Sequence, residues 1–217
     1  WWVIHAQALL ESDSPRVRTS QIDNAPIGRE VHWSSPLIWL IAGLAQLLSS
    51  LNGQPPVDCV AWAAIVAPLI LLLFSIGGIG WMVANRLGCT IAGFFLIIFF
   101  TSRTVYEGFV YGMADHHGMV FAFATASVLA LVFGGAGLVN LKKTKFPFLL
   151  KEASARRWMV LSGILGGAAL WVSAATAIPV LVGCGVGAIF AGWIGHRSDI
   201  PLKPDLWRSW GLSGCLS

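Results

Sequence analysis

CVAWAAIVAPLILLLFSIGGIGWMV, residues Cys59–Val83, is the stretch that decides the fold class. It carries no charge and is longer than the ~20 residues a helix needs to cross the hydrocarbon of a bilayer. Outward from it the pattern repeats. Asn85-Arg86-Leu87-Gly88 reads as a tight turn bearing one positive charge, and Leu87–Ser102 returns as a shorter apolar run ending in FFLIIFFTS. Gly118–Leu141 crosses again. Trp158–Ile194 is uncharged and long enough for two helices if it breaks near Ala174–Pro179, where Pro179 lacks an amide donor and disfavours the α region just before it. Before Cys59, Pro36–Leu51 is apolar but short, and Asn52-Gly53-Gln54-Pro55-Pro56 stops it, so it reads as an interfacial or re-entrant helix. Glu11–Ser35 is polar, broken by Pro15, Pro26 and Gly28, and reads as an extramembrane loop.

Composition agrees. The 217 residues are 56% hydrophobic and 11% charged, with mean hydropathy +0.74, where a soluble domain carries roughly a quarter charged residues. The chain reads as a polytopic membrane protein. Backbone groups in lipid must pair within each span, and the runs are too long for barrel strands. The expectation is therefore all-α, a transmembrane helical bundle of about five spans plus one interfacial helix. Residues 1–197 form the membrane domain, and 198–217 a cytoplasmic tail or the start of a further region. Trp1-Trp2-Val3-Ile4 reads as the tail of something upstream, with no signal peptide before it.

The formal charge of +4 does not point to nucleic acid. Lys142, Lys143, Lys145, Lys151, Arg156 and Arg157 cluster in one loop between apolar runs, which marks that loop as cytoplasmic and anionic lipid as its contact. Arg197, Lys203 and Arg208 mark the next cytoplasmic loop. Counting crossings back from there places Asp115 and Asp13 together on the exoplasmic side, provided Pro36–Leu51 does not cross. Cys59, Cys89, Cys184 and Cys215 are scattered without CxxC spacing, and the three that lie in or beside apolar runs read as small buried side chains.

Three polar groups could carry chemistry. Tyr106–Gly118, YEGFVYGMADHHG, is a polar island at the edge of an apolar run, with Asp115, His116 and His117 offering oxygen and nitrogen donors for a divalent cation. An arbitrary Asp-His-His is more often a solvated loop, but an ionisable group abutting a span is costly unless partnered. On an extended backbone Asp115 and His117 would face one side. The second group is Glu11-Ser12-Asp13-Ser14-Pro15-Arg16-Val17-Arg18, in which an acid lies beside two arginines suited to bidentate phosphate binding; taken alone it is a surface loop with local ion pairs. The third, Asp23–Ser35, holds the turn Pro26-Ile27-Gly28 and Trp33, a residue suited to the membrane interface.

In this order the three groups resemble the catalytic subunit of the oligosaccharyltransferase family, particularly its divergent bacterial relatives with the C-type membrane glycosyltransferase (GT-C) fold. The resemblance rests on an acid in the first external loop, a Pro-x-Gly-Arg stretch (Pro26–Arg29) leading into a short helix, and Asp-x-His opening a later span. It covers about Asp13 to Arg197. It implies that Asp13 and Asp115 act as catalytic cation ligands with His117 as a third, and that Arg16, Arg18, Arg103 and His116 bind the donor. His117 stands where the family usually has a second carboxylate, which suits Mn²⁺ or Zn²⁺ better than Mg²⁺. Arg103, in Ser102-Arg103-Thr104-Val105, lies further from the motif than in the family. Leu170-Trp171 is similar to the aromatic end of its fifth span. A later external loop with its metal-binding acid and a soluble domain with a Trp-Trp-Asp motif are not found in this sequence.

The resemblance implies glycan transfer from a polyprenyl (di)phosphate carrier to a protein or glycan acceptor, dependent on Mn²⁺ or Mg²⁺. The site would face the periplasm or exterior from a bacterial inner membrane, with no nucleic-acid partner. The competing reading is a non-enzymatic multispanning transporter or assembly subunit, which predicts charges inside spans that this sequence lacks. A metalloprotease is disfavoured because HExxH is absent.

Overall fold

Glycines and one short left-handed run punctuate a chain whose described residues are mostly helical. A computed structural model describes residues 1–217 apart from Asp13, Asp23, residues 32–34, residues 141–147 and Asp199. Its helices are α1 (Trp2–Glu11), α2 (Pro36–Asn52), α3 (Pro56–Leu87), α4 (Cys89–Thr101), α5 (Arg103–Glu107), α6 (His117–Phe133), α7 (Glu152–Val172), α8 (Ala174–Arg197) and α9 (Pro204–Cys215). A 3₁₀ turn spans Gly135–Gly137, and the described strands, β1 (Thr19–Ser20) and β2 (Arg29–Glu30), form one short antiparallel hairpin. The all-α class holds. The chain divides into two compact units, Trp1–Ser75 with Phe100–Met119, and Ile76–Phe99 with Val120–Ser217.

In the first unit α2 starts with Pro36 at its first turn, where a missing amide costs nothing, and ends at Gly53, whose left-handed φ of 72° lets its N–H reach the Ser49 carbonyl at 2.9 Å. Its buried residues Leu37, Ile38, Ile41, Ala42 and Ala45 follow the helical repeat and make the face that packs against α1. His5 and Ala6 are the buried residues of α1. The hairpin pairs Thr19 with Glu30 and Ser20 with Arg29, and the Val31 N–H extends it to the Arg18 carbonyl at 2.8 Å. Among its described residues Glu11–Ser35 is thus a loop with a small folded tip.

The second unit is organised around α7. Ser173, extended at φ −156° and ψ 102°, separates α7 from α8 and donates its N–H to the Ala169 carbonyl at 2.9 Å. The break expected at Ala174–Pro179 therefore falls one residue earlier. Pro179 lies inside α8 and does not interrupt it. Residues 198–217 belong to this unit, because α9 runs parallel along α7: Lys203 pairs with Glu152 at 3.4 Å, the Arg156 guanidinium donates to Ser209 at 3.2 Å, and the Ser213 hydroxyl donates to the Val160 carbonyl at 3.1 Å. The approach needs glycine. A Cβ on Gly163 would strike the Trp210 carbonyl, and one on Gly167 would strike that of Gly214. Leu131, Val139, Ala155, Met159, Cys184 and Leu206 close the core.

A buried polar knot ties α6, α7 and α9. The hydroxyls of Ser127 and Ser162 each donate to the other's backbone carbonyl at 2.8 Å, and the Trp210 indole N–H donates to the Ser162 hydroxyl at 2.9 Å. Replacing Ser162 with Ala orphans the indole N–H and strips the Ser127 carbonyl of its second donor, and should cost about 1–2 kcal/mol. Thermal unfolding of the full chain in detergent measures this, and a melting temperature equal to that of the unaltered protein would show that the knot is not stabilising.

Among the described residues two helices, α3 (Pro56–Leu87) and α8 (Ala174–Arg197), are long and apolar enough to cross a membrane, fewer than the five runs expected. The Gly118–Leu141 run is cut after Phe133 because Gly135, Ala136 and Gly137 all adopt positive φ, which no α-helix accommodates. The Leu87–Ser102 run yields only α4, since Gly88 turns at φ 91° and the helix ends at Thr101. α7 opens with Glu152, Arg156 and Arg157, so its apolar part is shorter than its length. α8 is unlike the core helix of a soluble protein, with only 11% of its most apolar window buried. Ile178, Val182, Ile189, Phe190 and Trp193 lie exposed along it.

Candidate cation site at the start of α6

The chain between α5 and α6 is folded tightly back on itself. After Glu107, Gly108 donates its N–H to the Val105 carbonyl at 3.1 Å and Phe109 to Tyr106 at 2.9 Å. The buried Phe109 ring then meets Phe100 edge-on at 5.7 Å. Gly112, at φ 78°, turns the loop again and Met113 donates to Val110 at 3.1 Å. This brings Gly118 onto Gly108 so closely that a Cβ on either would run into the other's backbone. Asp115 and His116 are thereby held just ahead of His117, the first residue of α6.

The three side chains converge. Asp115 Oδ2 lies 2.7 Å from His117 Nδ1, and Oδ1 lies 2.9 Å from His116 Nδ1. The His117 contact is an aligned hydrogen bond. The His116 contact is close but poorly directed, since that Nδ1 is buried without a hydrogen-bond partner of good geometry. The two imidazoles sit 4.3 Å apart, and the Trp2 ring lies 5.4 Å from that of His116. Extended backbone is not what joins the group: one carboxylate serves two successive histidines, one oxygen each. His116 first and His117 second hold the Asp115 carboxyl well below the usual carboxylate range, against the opposing effect of partial burial. The N-terminus of α6 also favours negative charge there.

One ligand atom from each residue lies within 4.8 Å of the others. Two bonds of ~2.2 Å to a common ion span about 4.4 Å, so a shift of a few tenths of an ångström would let all three reach one cation. In the alternative arrangement the carboxylate takes the Nδ1–H of each ring and leaves Nε2 as the donor atom, the usual carboxylate–histidine–metal relay.

The remaining expected residues lie as follows. Asp13 is outside the described residues. Arg16 and Arg18 are exposed, and among the described residues neither makes an ion pair. Arg103 is exposed and bonded to Glu107 at 2.8 Å one turn on, a surface pair of small energetic weight. Trp2 and the Gly108–Gly118 contact were not foreseen. Trp2 had read only as an upstream tail, and two glycines ten apart carry no local signal of touching. Compared with known proteins, the chain matches no family model, no curated protein and no solved structure.

Proposed function

We propose that the chain belongs to a cation-dependent membrane glycosyltransferase that moves a glycan from a polyprenyl (di)phosphate carrier to an exoplasmic acceptor. What supports this is the convergence of Asp115, His116 and His117 immediately before an apolar helix, where a charged donor with a lipid tail can present its phosphate to polar groups and its tail to lipid. On this reading α3, α4, α6, α7 and α8 make about five passages of a GT-C-like bundle in a bacterial inner membrane, and α2 lies at the interface. A divalent cation, Mn²⁺ before Mg²⁺ given the imidazoles, would supply Lewis-acid neutralisation of the leaving phosphate. Asp115 and His117 would hold the ion, with Asp13 the further ligand that the resemblance suggests. His116 is positioned by Asp115 and Trp2 and faces the donor, and Arg16 and Arg18 offer guanidinium forks to phosphate oxygens.

The test is transfer of a labelled glycan from a polyprenyl-linked donor by the full chain in liposomes, before and after EDTA, with Mn²⁺ then restored. Transfer that stops with EDTA and returns with Mn²⁺ is the expected result. Transfer indifferent to EDTA, or none under any metal, would end this reading.

A further inference from the structure

We propose that one end of the second unit is a binding surface for anionic phospholipid headgroups. The structure brings four chain segments together there. The Lys203 N–H bonds the Gly137 carbonyl at 2.9 Å, the Asn140 N–H bonds that of Leu150 at 3.0 Å, and Leu138 bridges to Leu202. Arg86, at the end of α3, donates to the Phe148 carbonyl at 2.8 Å, and Trp81 stacks on Trp158 at 6.2 Å. α8 returns to the same end, where a Cβ on Gly195 would press on Leu138. The last turn of α3, the first of α7, the last of α8 and the first of α9 therefore lie side by side.

Basic residues gather on that end: Arg86, Arg156, Arg157, Arg197 and Lys203. The acid Glu152 occupies only Arg156 and Lys203. Among the described residues, Arg86, Arg157 and Arg197 have no acidic partner. The Arg86 Nε is buried without a hydrogen bond, and Arg197 lies over the Trp193 ring at 4.0 Å. One level in from these charges lies a layer of tryptophans from all four helices. Trp81 is one turn before Arg86, Trp158 follows Arg157, Trp193 is one turn before Arg197, and Trp207 is one turn after Lys203 and packs on Gly137. Trp81 and Trp193 are more than half exposed. Indoles at the glycerol level and unpaired guanidiniums just beyond them are the chemistry of a membrane interface rich in anionic lipid. Phosphate takes the guanidinium fork, and the acyl chains take the exposed apolar flank of α8. A nucleic acid would also meet the charge, but the tryptophans lie on the apolar side of the basic layer and not among it.

The experiment uses the full chain in neutral detergent and counts bound lipid by native mass spectrometry against added phosphatidylglycerol or phosphatidylcholine. Phosphatidylglycerol should bind more tightly. A basic residue at an anionic surface contributes about a fivefold factor, so R157Q/R197Q should lose about 25-fold of that affinity and leave phosphatidylcholine binding unchanged. Among the described residues neither side chain makes a hydrogen bond or ion pair, and Arg197 meets the Trp193 ring; an unaltered melting temperature would verify that the variant keeps its structure. Equal binding of the two lipids, or phosphatidylglycerol binding indifferent to the substitutions, overturns the proposal. Competition by inorganic phosphate at the same concentration would assign the site to free phosphate, and displacement by RNA would assign it to nucleic acid; either outcome also overturns it. The outcome is independent of glycan transfer.

Discussion

Replacing Asp115 with Ala should lower Mn²⁺ affinity about 100-fold or more. The reason lies in how the site is shared. The two imidazoles have different neighbours, Trp2 for His116 and the first turn of α6 for His117, but both turn their Nδ1 toward one carboxylate. Removing the carboxylate deletes a ligand or, in the relay arrangement, releases the tautomer and orientation of both rings together; loss of an orienting partner alone costs 10–100-fold. Asp115→Asn separates these cases. An amide keeps the shape but can donate from one side, so it orients at most one imidazole and supplies no charge. Affinity near that of Asp115→Ala marks the carboxylate as a ligand, and an intermediate value marks it as the orienting group. Titration of Mn²⁺ followed by electron paramagnetic resonance reads both variants in detergent. Mn²⁺ binding unchanged in Asp115→Ala would remove the cation site and with it the observation on which the proposed function rests.

Acidification provides a second reading of the same site, with a sign fixed by direction. The native carboxyl of Asp115 is held below its ordinary value. Its contribution to stability is thus complete above the unfolded carboxyl value of about 4, and is lost only as pH falls from there through the lower native one. Between pH 7 and about 5 the carboxylate stays ionised. Acid unfolding followed below pH 4 is the measurement, and stability that already falls between pH 7 and about 5 is not owed to this carboxylate.

How much of this was legible in the residues depended on whether the deciding chemistry was local. The end of α2 at Asn52 and the turn at Gly88 were readable because a glycine supplied the left-handed backbone that each required. The Asp-His-His triplet was readable as a donor set because its members are adjacent. The α7–α8 break was readable to within a residue, but the interruption is Ser173 and not Pro179, which lies inside α8. The early end of α6 was not readable. Gly134 and Gly135 are common enough in apolar runs, and the left-handed turn at Ala136 owes more to its packing against α7 and α8 than to alanine itself. The seating of α9 on α7 was hidden because it depends on Gly163 and Gly167 meeting Trp210 and Gly214, nearly fifty residues away. Arg156, Arg157, Arg197 and Lys203 read only as loop charges, and it is the fold that aligns them with tryptophans from four helices.

A substitution that does not touch the donors should also disrupt the site. Gly118→Val places a branched Cβ against the Gly108 carbonyl, with the Phe109 ring at 3.0 Å on another side. The obstacle is backbone, so no rotamer change relieves it, and the same contact seen from Gly108 is equally tight, with the Gly118 N at 2.6 Å. Something must move, and the α5–α6 connection is the piece free to open. Overpacking of this kind costs about 1–3 kcal/mol. Its larger effect falls on geometry: Asp115, His116 and His117 occupy the residues just before Gly118, and metal-ligand distances tolerate only about 0.2 Å of displacement. Mn²⁺ affinity should drop by at least tenfold, while the unfolding midpoint shifts by only a few degrees. Gly77→Ala in α3, where an added Cβ meets nothing within 4 Å, serves as the matched control and should leave metal binding alone or stabilise the helix slightly. If Gly118→Val binds Mn²⁺ as well as the unaltered chain, the close approach of Gly108 and Gly118 does not position the triplet. The convergence of Asp115 with its two histidines would then have to be held by Trp2 and the α6 terminus alone.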